Sequence, residues 1–213
     1  EGAFVFEPIP GLYENLAVFD FTSSYGSTIV TFNLSKSTFL EKQEKDAYGI
    51  EALGKKVYFS KKPGFFPEML KEIIKKRKQF KDELKKQEDP VKKARSNAFK
   101  LLANASYGYQ SFFGARYYCE EAGAATAAFA RKAIKEAIDK INQEGYKVIY
   151  SDTDSIAFLL EKHSKDKTKE FLKKLNEELP GIMELELEGF FKRGIWVTKR
   201  TGEFGAKKKY ALI

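Results

Sequence analysis

The stretch YKVIYSDTDSIAF, Tyr146 to Phe158, leaves its backbone little choice. Two β-branched, apolar runs of strand length flank a short polar turn, so they pair antiparallel and commit the surrounding chain to a sheet. Between the runs stand Asp152 and Asp154, one residue apart. Asp and Ser are ordinary hairpin-turn residues, and turn chemistry alone accounts for the pair. Two like charges repel, however, where Asn-Gly would turn the chain more easily, and that points instead to a cation site. On this stretch alone both readings stay open.

The rest of the chain supplies partners for the hairpin. Asn15–Phe21 (NLAVFDF) reads as a buried strand ending on Asp20. Thr31–Pro67 is mixed, with Gly49, Gly54, Pro63 and Gly64 as breakers, and predicts loop and short elements. From Pro67, which suits a first helical turn, Leu70, Ile73, Ile74, Phe80 and Leu84 recur at helical spacing. Gln87–Pro90 (QEDP) ends that helix and starts another, with Asp89 as N-cap and Pro90 at the first helical position, running to about Tyr107. Two antiparallel helices of about 18 residues would each be about 27 Å long. An Ala-rich helix from about Tyr118 to Glu144 stops at Gly145. After the hairpin, a short helix (Lys167–Leu179) ends at Pro180-Gly181 and MELELEGFF alternates as a strand. RGIWVTKR and KKKYALI then predict a closing hairpin around Thr201–Gly205. With the helix pair set aside, the order is β, α, β–β, α, β. That order predicts an α+β fold: an antiparallel, ferredoxin-like (split βαβ) sheet carrying an inserted antiparallel two-helix hairpin.

Charge is distributed unevenly over this plan. The formal net charge is +8, and Lys61–Lys100 alone holds 14 Lys/Arg against 6 Asp/Glu, an excess of eight. The remainder balances at 24 basic and 24 acidic residues. A Lys-rich run is most often a solvated helix face; concentration in one segment suggests a polyanionic partner carrying phosphates. With 43% apolar and 15% aromatic residues the chain can bury a core, which argues against wholesale disorder. Cys119 is the only cysteine, so no intrachain disulfide forms, and this suits a reducing, cytoplasmic compartment. No apolar run approaches the ~18 residues of a membrane span, so no membrane partner is expected. The first residue is Glu1, consistent with a piece of a longer polypeptide.

In the predicted layout Asp20, Asp152 and Asp154 converge at a sheet edge. Three carboxylates there make an oxygen-ligand site suited to Mg²⁺, which takes a few carboxylates plus water and substrate phosphates. His163 reads as a lone surface residue in a loop. On the second helix of the pair Lys100, Asn104 and Tyr107 form one stripe at i, i+4 and i+7; on the first, Arg77 and Lys81 are four apart. A guanidinium, two ammoniums and an amide facing each other can hold a triphosphate. Leu101, Leu102 and Ala103 are expected to be buried, which would keep the Lys100 stripe off free surface.

Four motifs, in order, resemble the palm and fingers of family B DNA polymerases. They are DFTSSYGSTI (Asp20–Ile29), KLLANASYG (Lys100–Gly108), YSDTDS (Tyr150–Ser155) and GAKKKYALI (Gly205–Ile213). The resemblance covers essentially the whole chain. It implies three segments: 1–66 as the N-terminal part of the palm, 67–108 as the fingers hairpin and 109–213 as the C-terminal part of the palm. It also implies template-directed addition of dNTPs to a primer 3′-hydroxyl. Asp20, Asp152 and Asp154 would be catalytic. Asp20, Asp154 and the Phe21 carbonyl would hold two Mg²⁺ ions, with Mn²⁺ able to substitute. Ser23, Ser24, Tyr25 and Gly26 would line the triphosphate, with the Tyr25 ring excluding a 2′-hydroxyl. Arg77, Lys81, Lys100 and Asn104 would close on the nucleotide, and Tyr107 would lie under the templating pair. Gly108, Lys207, Lys208, Lys209 and Tyr210 would contact DNA. Primer–template DNA, dNTP and the remaining exonuclease and thumb regions, in the same chain or another subunit, would be the partners. If prokaryotic, the protein would be nucleoid-associated. A non-catalytic relative that binds DNA as a structural subunit is the alternative. Two departures stand out: Ser24-Tyr25-Gly26 replaces Leu-Tyr-Pro, and Ala105 stands where the family has Ser.

Overall fold

A computed structural model describes residues 4–6, 8–198 and 205–213. The Thr201–Phe204 turn expected between the last two strands lies outside the described residues. The chain is mixed α/β with antiparallel sheets and divides into two units: Ser23–Phe129 with Pro180–Met183, and the residues up to Thr22 with Ala130–Leu179 and Glu184–Ile213.

The second unit is built on β1 (Gly11–Phe21), β5 (Lys147–Asp152), β6 (Ser155–Leu159), β7 (Leu185–Thr198) and β8 (Gly205–Leu212). They form one sheet in the order β5-β6-β1-β7-β8, with every neighbouring pair antiparallel. Both faces of the central strand are buried, which is why NLAVFDF reads as a continuous apolar run. On one face Leu16 and Val18 pack with Tyr150, Ala157 and Trp196. On the other Phe19 meets Phe158 edge-on at 4.7 Å, Phe158 meets Tyr146 at 5.1 Å, and Tyr146 meets Phe171 at 5.4 Å. Phe171 belongs to α5 (Lys165–Glu178), which Ser164 caps by accepting from the Lys167 amide at 3.2 Å. MELELEGFF and RGIWVTKR were expected as separate strands, but Leu185–Thr198 is one strand of 14 residues, β7, which pairs with β1 along nearly the whole length of β1. A bulge opposite Val18/Phe19 absorbs the extra residue.

The first unit holds α1 (Ser24–Thr31), β2 (Phe39–Leu40), β3 (Tyr48–Ala52), β4 (Lys55–Phe59), α2 (Phe65–Lys86) and α3 (Pro90–Ser111). The short elements expected over Thr31–Pro67 form a three-stranded sheet in the order β2-β4-β3. Its hairpin turns through Leu53 (φ 55) and Gly54 (φ 71), the two left-handed positions that a two-residue loop requires. Leu is an unusual residue there, so the sequence shows only a breaker. α3 begins as read: the Asp89 carboxylate accepts from the amides of Val91 (2.8 Å) and Lys92 (3.1 Å), with Pro90 at the first position. Phe80 stacks on Phe99 at 5.9 Å between α2 and α3. Asn33, at the end of α1, donates to the carbonyls of Ser60 and Lys62 and accepts from the Gly64 amide, fixing where α2 starts. α4 (Glu120–Gln143) is the Ala-rich helix, and it passes from the first unit to the second.

Candidate functional site

The turn between β5 and β6 brings the chain's acidic chemistry to the sheet end. Asp152 pairs with Ser155, so the loop is only Thr153 and Asp154. Thr153 sits at φ 60, and the Asp154 amide donates to the Asp152 carbonyl at 2.7 Å. A β-branched residue rarely adopts that φ; costs of about 1–3 kcal/mol are usual and persist where surroundings over-determine them. Here the Thr153 amide donates to the Phe4 carbonyl at 2.9 Å and its hydroxyl donates to Asp152 Oδ1 at 3.0 Å. Across the sheet Asp20 is the register partner of Ser155, and the Phe21 amide donates to the Asp154 carbonyl at 2.9 Å. The strand ends that bear Asp20 and Asp154, more than 130 positions apart in the chain, are thus joined through the backbone.

The three aspartates do not play equivalent parts. Burial pushes the Asp154 carboxyl up, and the charges of Asp152 and Glu188 push it the same way. Asp152 Oδ1 accepts from Lys208 Nζ at 2.9 Å. Among the described residues no three His, Cys, Asp or Glu side chains form a set able to hold a metal ion. The three-carboxylate set expected from the sequence is thus not found among them, and Asp152 is engaged by a lysine and a threonine. Glu188 was not singled out in the sequence. Its signal is the alternation in ELELEG with the β7 bulge falling on it, for β1 matches Val18 to Gly189 and Phe19 to Leu187. On β8, Lys207, Lys208, Lys209 and Tyr210 are exposed. Tyr210 stacks on Trp196 at 5.4 Å, and burial followed by Glu188, Asp152 and Asp20 raises its hydroxyl.

In the first unit the N-terminus of α1 is the notable point. Ser23 caps it in the left-handed region (φ 49, ψ 49) without a side-chain cap bond, and the Arg77 guanidinium donates to its Oγ instead. A helix N-terminus already carries partial positive charge and unpaired amides. A guanidinium held there adds to that charge, an arrangement that favours an anion. Behind it a Cβ on Gly26 would meet Ile74 Cδ1 at 3.4 Å and the Ala103 carbonyl at 3.5 Å, ordinary contact that does not by itself require glycine. Tyr25 stacks on Tyr107 at 4.3 Å and 27°. Lys81 is half-buried one turn beyond Arg77, while Lys100, Asn104 and Gly108 are exposed on α3.

Two expectations about surroundings are corrected. Leu101 and Leu102 are 70% and 54% exposed, because α3 buries Ala103, Ser106 and Gln110 instead; only Ala103 of the expected trio is buried. His163 is no plain surface residue: it stacks on Tyr146 at 4.1 Å.

The two units together define a mixed α/β protein with an acidic strand-end turn and a cationic helix pair. The chain belongs to DNA polymerase family B, whose family model matches residues 1–211. It is similar to the DNA polymerase of Thermococcus gorgonarius, 38% identical over 221 residues, covering 100% of this chain and 27% of the relative. It is also similar to that of Archaeoglobus fulgidus, 36% identical over 206 residues, covering 94% of this chain and 26% of the relative. Among solved structures, the family B DNA polymerase from the hyperthermophilic archaeon Pyrobaculum calidifontis matches with a TM-score of 0.73 and 29% identity, covering 100% of this chain and 28% of that one. The chain thus spans about a quarter of the length of these relatives. Among the described residues no helix is long and apolar enough to cross a membrane.

Proposed function

We propose that this chain is the catalytic core of a DNA-directed DNA polymerase, adding dNTPs to a primer 3′-hydroxyl as a template directs. The observation that carries the reading is the bond between the Phe21 amide and the Asp154 carbonyl, which fixes Asp154 next to the strand end bearing Asp20. In this reading the five-stranded sheet is a ferredoxin-like palm and α2 with α3 is a fingers hairpin. The order β5-β6-β1-β7 supports the palm, being the order a split βαβ unit of β1, α4, β5, β6, α5 and β7 produces. Residues 1–66 and 109–213 are its two parts, with 67–108 between them.

The donor set fits Mg²⁺, which one or two carboxylates hold while water and substrate phosphates complete its shell. Asp20, Asp154 and the Phe21 carbonyl are the residues that would hold two such ions, and Mn²⁺ is the natural substitute. When bound, the ions lower the pKa of the attacking hydroxyl and neutralise charge on the phosphates. The protein's own groups bind and orient. Arg77, Lys81, Lys100 and Asn104, with the amides of Ser23 to Gly26, bind the triphosphate. The Tyr25 ring, backed by Tyr107, excludes a 2′-hydroxyl from beside the sugar. Gly108, Lys207, Lys208, Lys209 and Tyr210 contact primer–template DNA, independently of sequence. Exonuclease and thumb regions of the polymerase are the further partners.

The test is single-turnover extension of a labelled primer–template by the full chain at low salt, with Mg²⁺ and dNTPs and Asp154→Ala as blank. Metal-dependent addition by the wild type alone supports the reading. DNA binding with no addition, also when the missing regions are supplied in trans, supports a structural subunit instead. Lys100→Ala raises the KM for dNTP about 10-fold or more, as loss of a charge-assisted phosphate contact does. If it weakens only DNA affinity, Lys100 is a DNA contact. Tyr25→Ala lowers dNTP over rNTP discrimination about 10- to 100-fold, the range of a small steric difference in a pocket. An unchanged ratio removes Tyr25 from the gate.

A further inference from the structure

The C-terminal end of α3 is tied to the end of α1 through one side chain. Gln110 is 1% exposed, and its Nε2 donates to the Leu34 carbonyl at 3.0 Å, across 76 positions of the chain. Its own carbonyl accepts from the Cys119 amide at 3.0 Å, just before α4. Leu34 is fully buried in a cluster with Val57 and Phe59 of β4, Cys119, and Ala122 and Ala125 of α4, so the tie is anchored in core. Of the three side chains that α3 buries, Ala103 has no polar atom, and the Ser106 hydroxyl donates back to the Ala103 carbonyl at 2.6 Å. Gln110 alone of the three bonds out of the helix. The start of α2 is held at the same place, for Asn33, the residue before Leu34, accepts from the Gly64 amide. Both helices of the pair are thus rooted on two consecutive residues that follow α1. The Gln110 Oε1 is buried without a donor, and an apolar side chain of the same size would fill the space without that orphan. Turning the amide over would set Oε1 against the Leu34 carbonyl, so the acceptor fixes its orientation. What the amide supplies is direction, not burial.

We infer that Gln110 is a positioning residue for the nucleotide-binding stripe of α3, an inference that rests on the polymerase reading. Tyr107 stands three positions before it, Asn104 six and Lys100 ten. At 1.5 Å per residue Lys100 lies about 15 Å along the helix from the tie. A turn of about 10° at the root therefore moves the Lys100 end by about 3 Å, and a misplacement of about 1 Å can cost about 100-fold in rate. The same root carries α1, whose N-cap is Ser23 and whose first turn holds Tyr25. The bond from Gln110 to Leu34 thus sets the α3 stripe relative to the helix end that receives the triphosphate. Being buried, Gln110 touches neither nucleotide nor DNA and acts through Lys100, Asn104 and Tyr107.

Two substitutions test this in primer extension by the full chain. Gln110→Met keeps the length and removes the donor. It raises the KM for dNTP about tenfold at every pH, with kcat within about twofold and primer–template Kd unchanged, the pattern of lost substrate placement. Gln110→Glu makes the same tie depend on a proton. A neutral carboxyl has an O–H to donate to the Leu34 carbonyl, a carboxylate has none, and burial raises the pKa of a carboxyl placed there. Beside the tie stand the Cys119 thiol, which burial pushes up, and Glu121, which pairs with Lys55 at 3.6 Å. Each KM is therefore read against the wild type at the same pH, which cancels titrations elsewhere. The ratio for Gln110→Glu is near one in mildly acid solution and rises to the Gln110→Met value or beyond as the carboxyl ionises. A ratio that does not move with pH overturns the assignment, as does a Gln110→Met variant that loses stability with its dNTP KM unchanged. If Gln110→Met does not fold, the pH dependence of Gln110→Glu decides alone. Hydrogen exchange over α3, read against the wild type at each pH, follows the same bond without catalysis, and Gln110→Glu loses protection as pH rises. If the wild type adds no nucleotide while exchange divides in this way, the polymerase reading fails and the tie of α3 to Leu34 stands.

Discussion

Asp154→Ala lowers primer extension by about 10³-fold or more, the loss expected when a metal-bearing carboxylate is removed, and leaves the chain folded. The expectation follows from what surrounds the side chain. Asp154 is half-buried, and burial first, then Asp152 and Glu188, holds its carboxyl above the ordinary range. A carboxylate kept in such company is poorly satisfied by the protein alone and is suited to a cation brought with the substrate. The same facts set the sign of its effect on stability. A carboxyl raised in the fold binds its proton more tightly there than in the unfolded chain. Its contribution to stability is therefore greatest at low pH and declines as pH rises from the unfolded value through the raised folded value. Above that window the full penalty is present, and Asp154→Asn removes it. Melts of the Asn variant should be level or a few degrees higher at neutral pH, and flatter between mildly acid and neutral pH. Extension by Asp154→Ala at near wild-type rate removes Asp154 from the chemistry. A collapse of the melt instead makes it a structural residue.

What the sequence made legible was local, and what it hid was set by distant neighbours. The hairpin at Asp152/Asp154 could be read because strand, turn and strand are consecutive. The α3 start could be read because Asp89 and Pro90 act on amides two or three residues away. The bond from Arg77 to Ser23 spans 54 positions and has no local trace, though both residues were named for other reasons. Leu101 and Leu102 show the converse error. Apolar residues in a helix were read as core, but an antiparallel pair buries only a narrow stripe of each helix, and the leucines lie off it. Glu188 was hidden by a bulge that shifts which residues of β7 face the turn.

Trp196→Ala destabilises the chain by about 3–5 kcal/mol, the usual cost of truncating a buried aromatic side chain. The ring is 2% exposed and joins three strands. It meets Tyr13 of β1 edge-on at 5.7 Å, Tyr150 of β5 at 5.9 Å and Tyr210 of β8 stacked at 5.4 Å. Gly194 is shaped to it: a Cβ there would lie 2.7 Å from Trp196 Cζ3 and 2.8 Å from Leu212 Cδ2. With a Tm shift of about 2–4 °C per kcal/mol in chains this long, the melt falls by about 6–20 °C. Trp196→Phe is the informative control. The indole Nε1 is buried without an acceptor, so phenylalanine gives up an unsatisfied donor along with some packing, and the two changes partly offset. Its cost should be about 1–2 kcal/mol, well below that of alanine. Equal costs for the two variants mean that the part of the indole that phenylalanine lacks makes the contacts that hold the sheet edge. The consequence reaches the chemistry, since the Tyr150 hydroxyl that Trp196 packs beside is the acceptor for the Lys208 amide. Assayed well below its melting temperature, Trp196→Ala should therefore lose primer-extension rate as well as stability, and an unchanged rate would show that the bond from the Lys208 amide to Tyr150 survives the cavity.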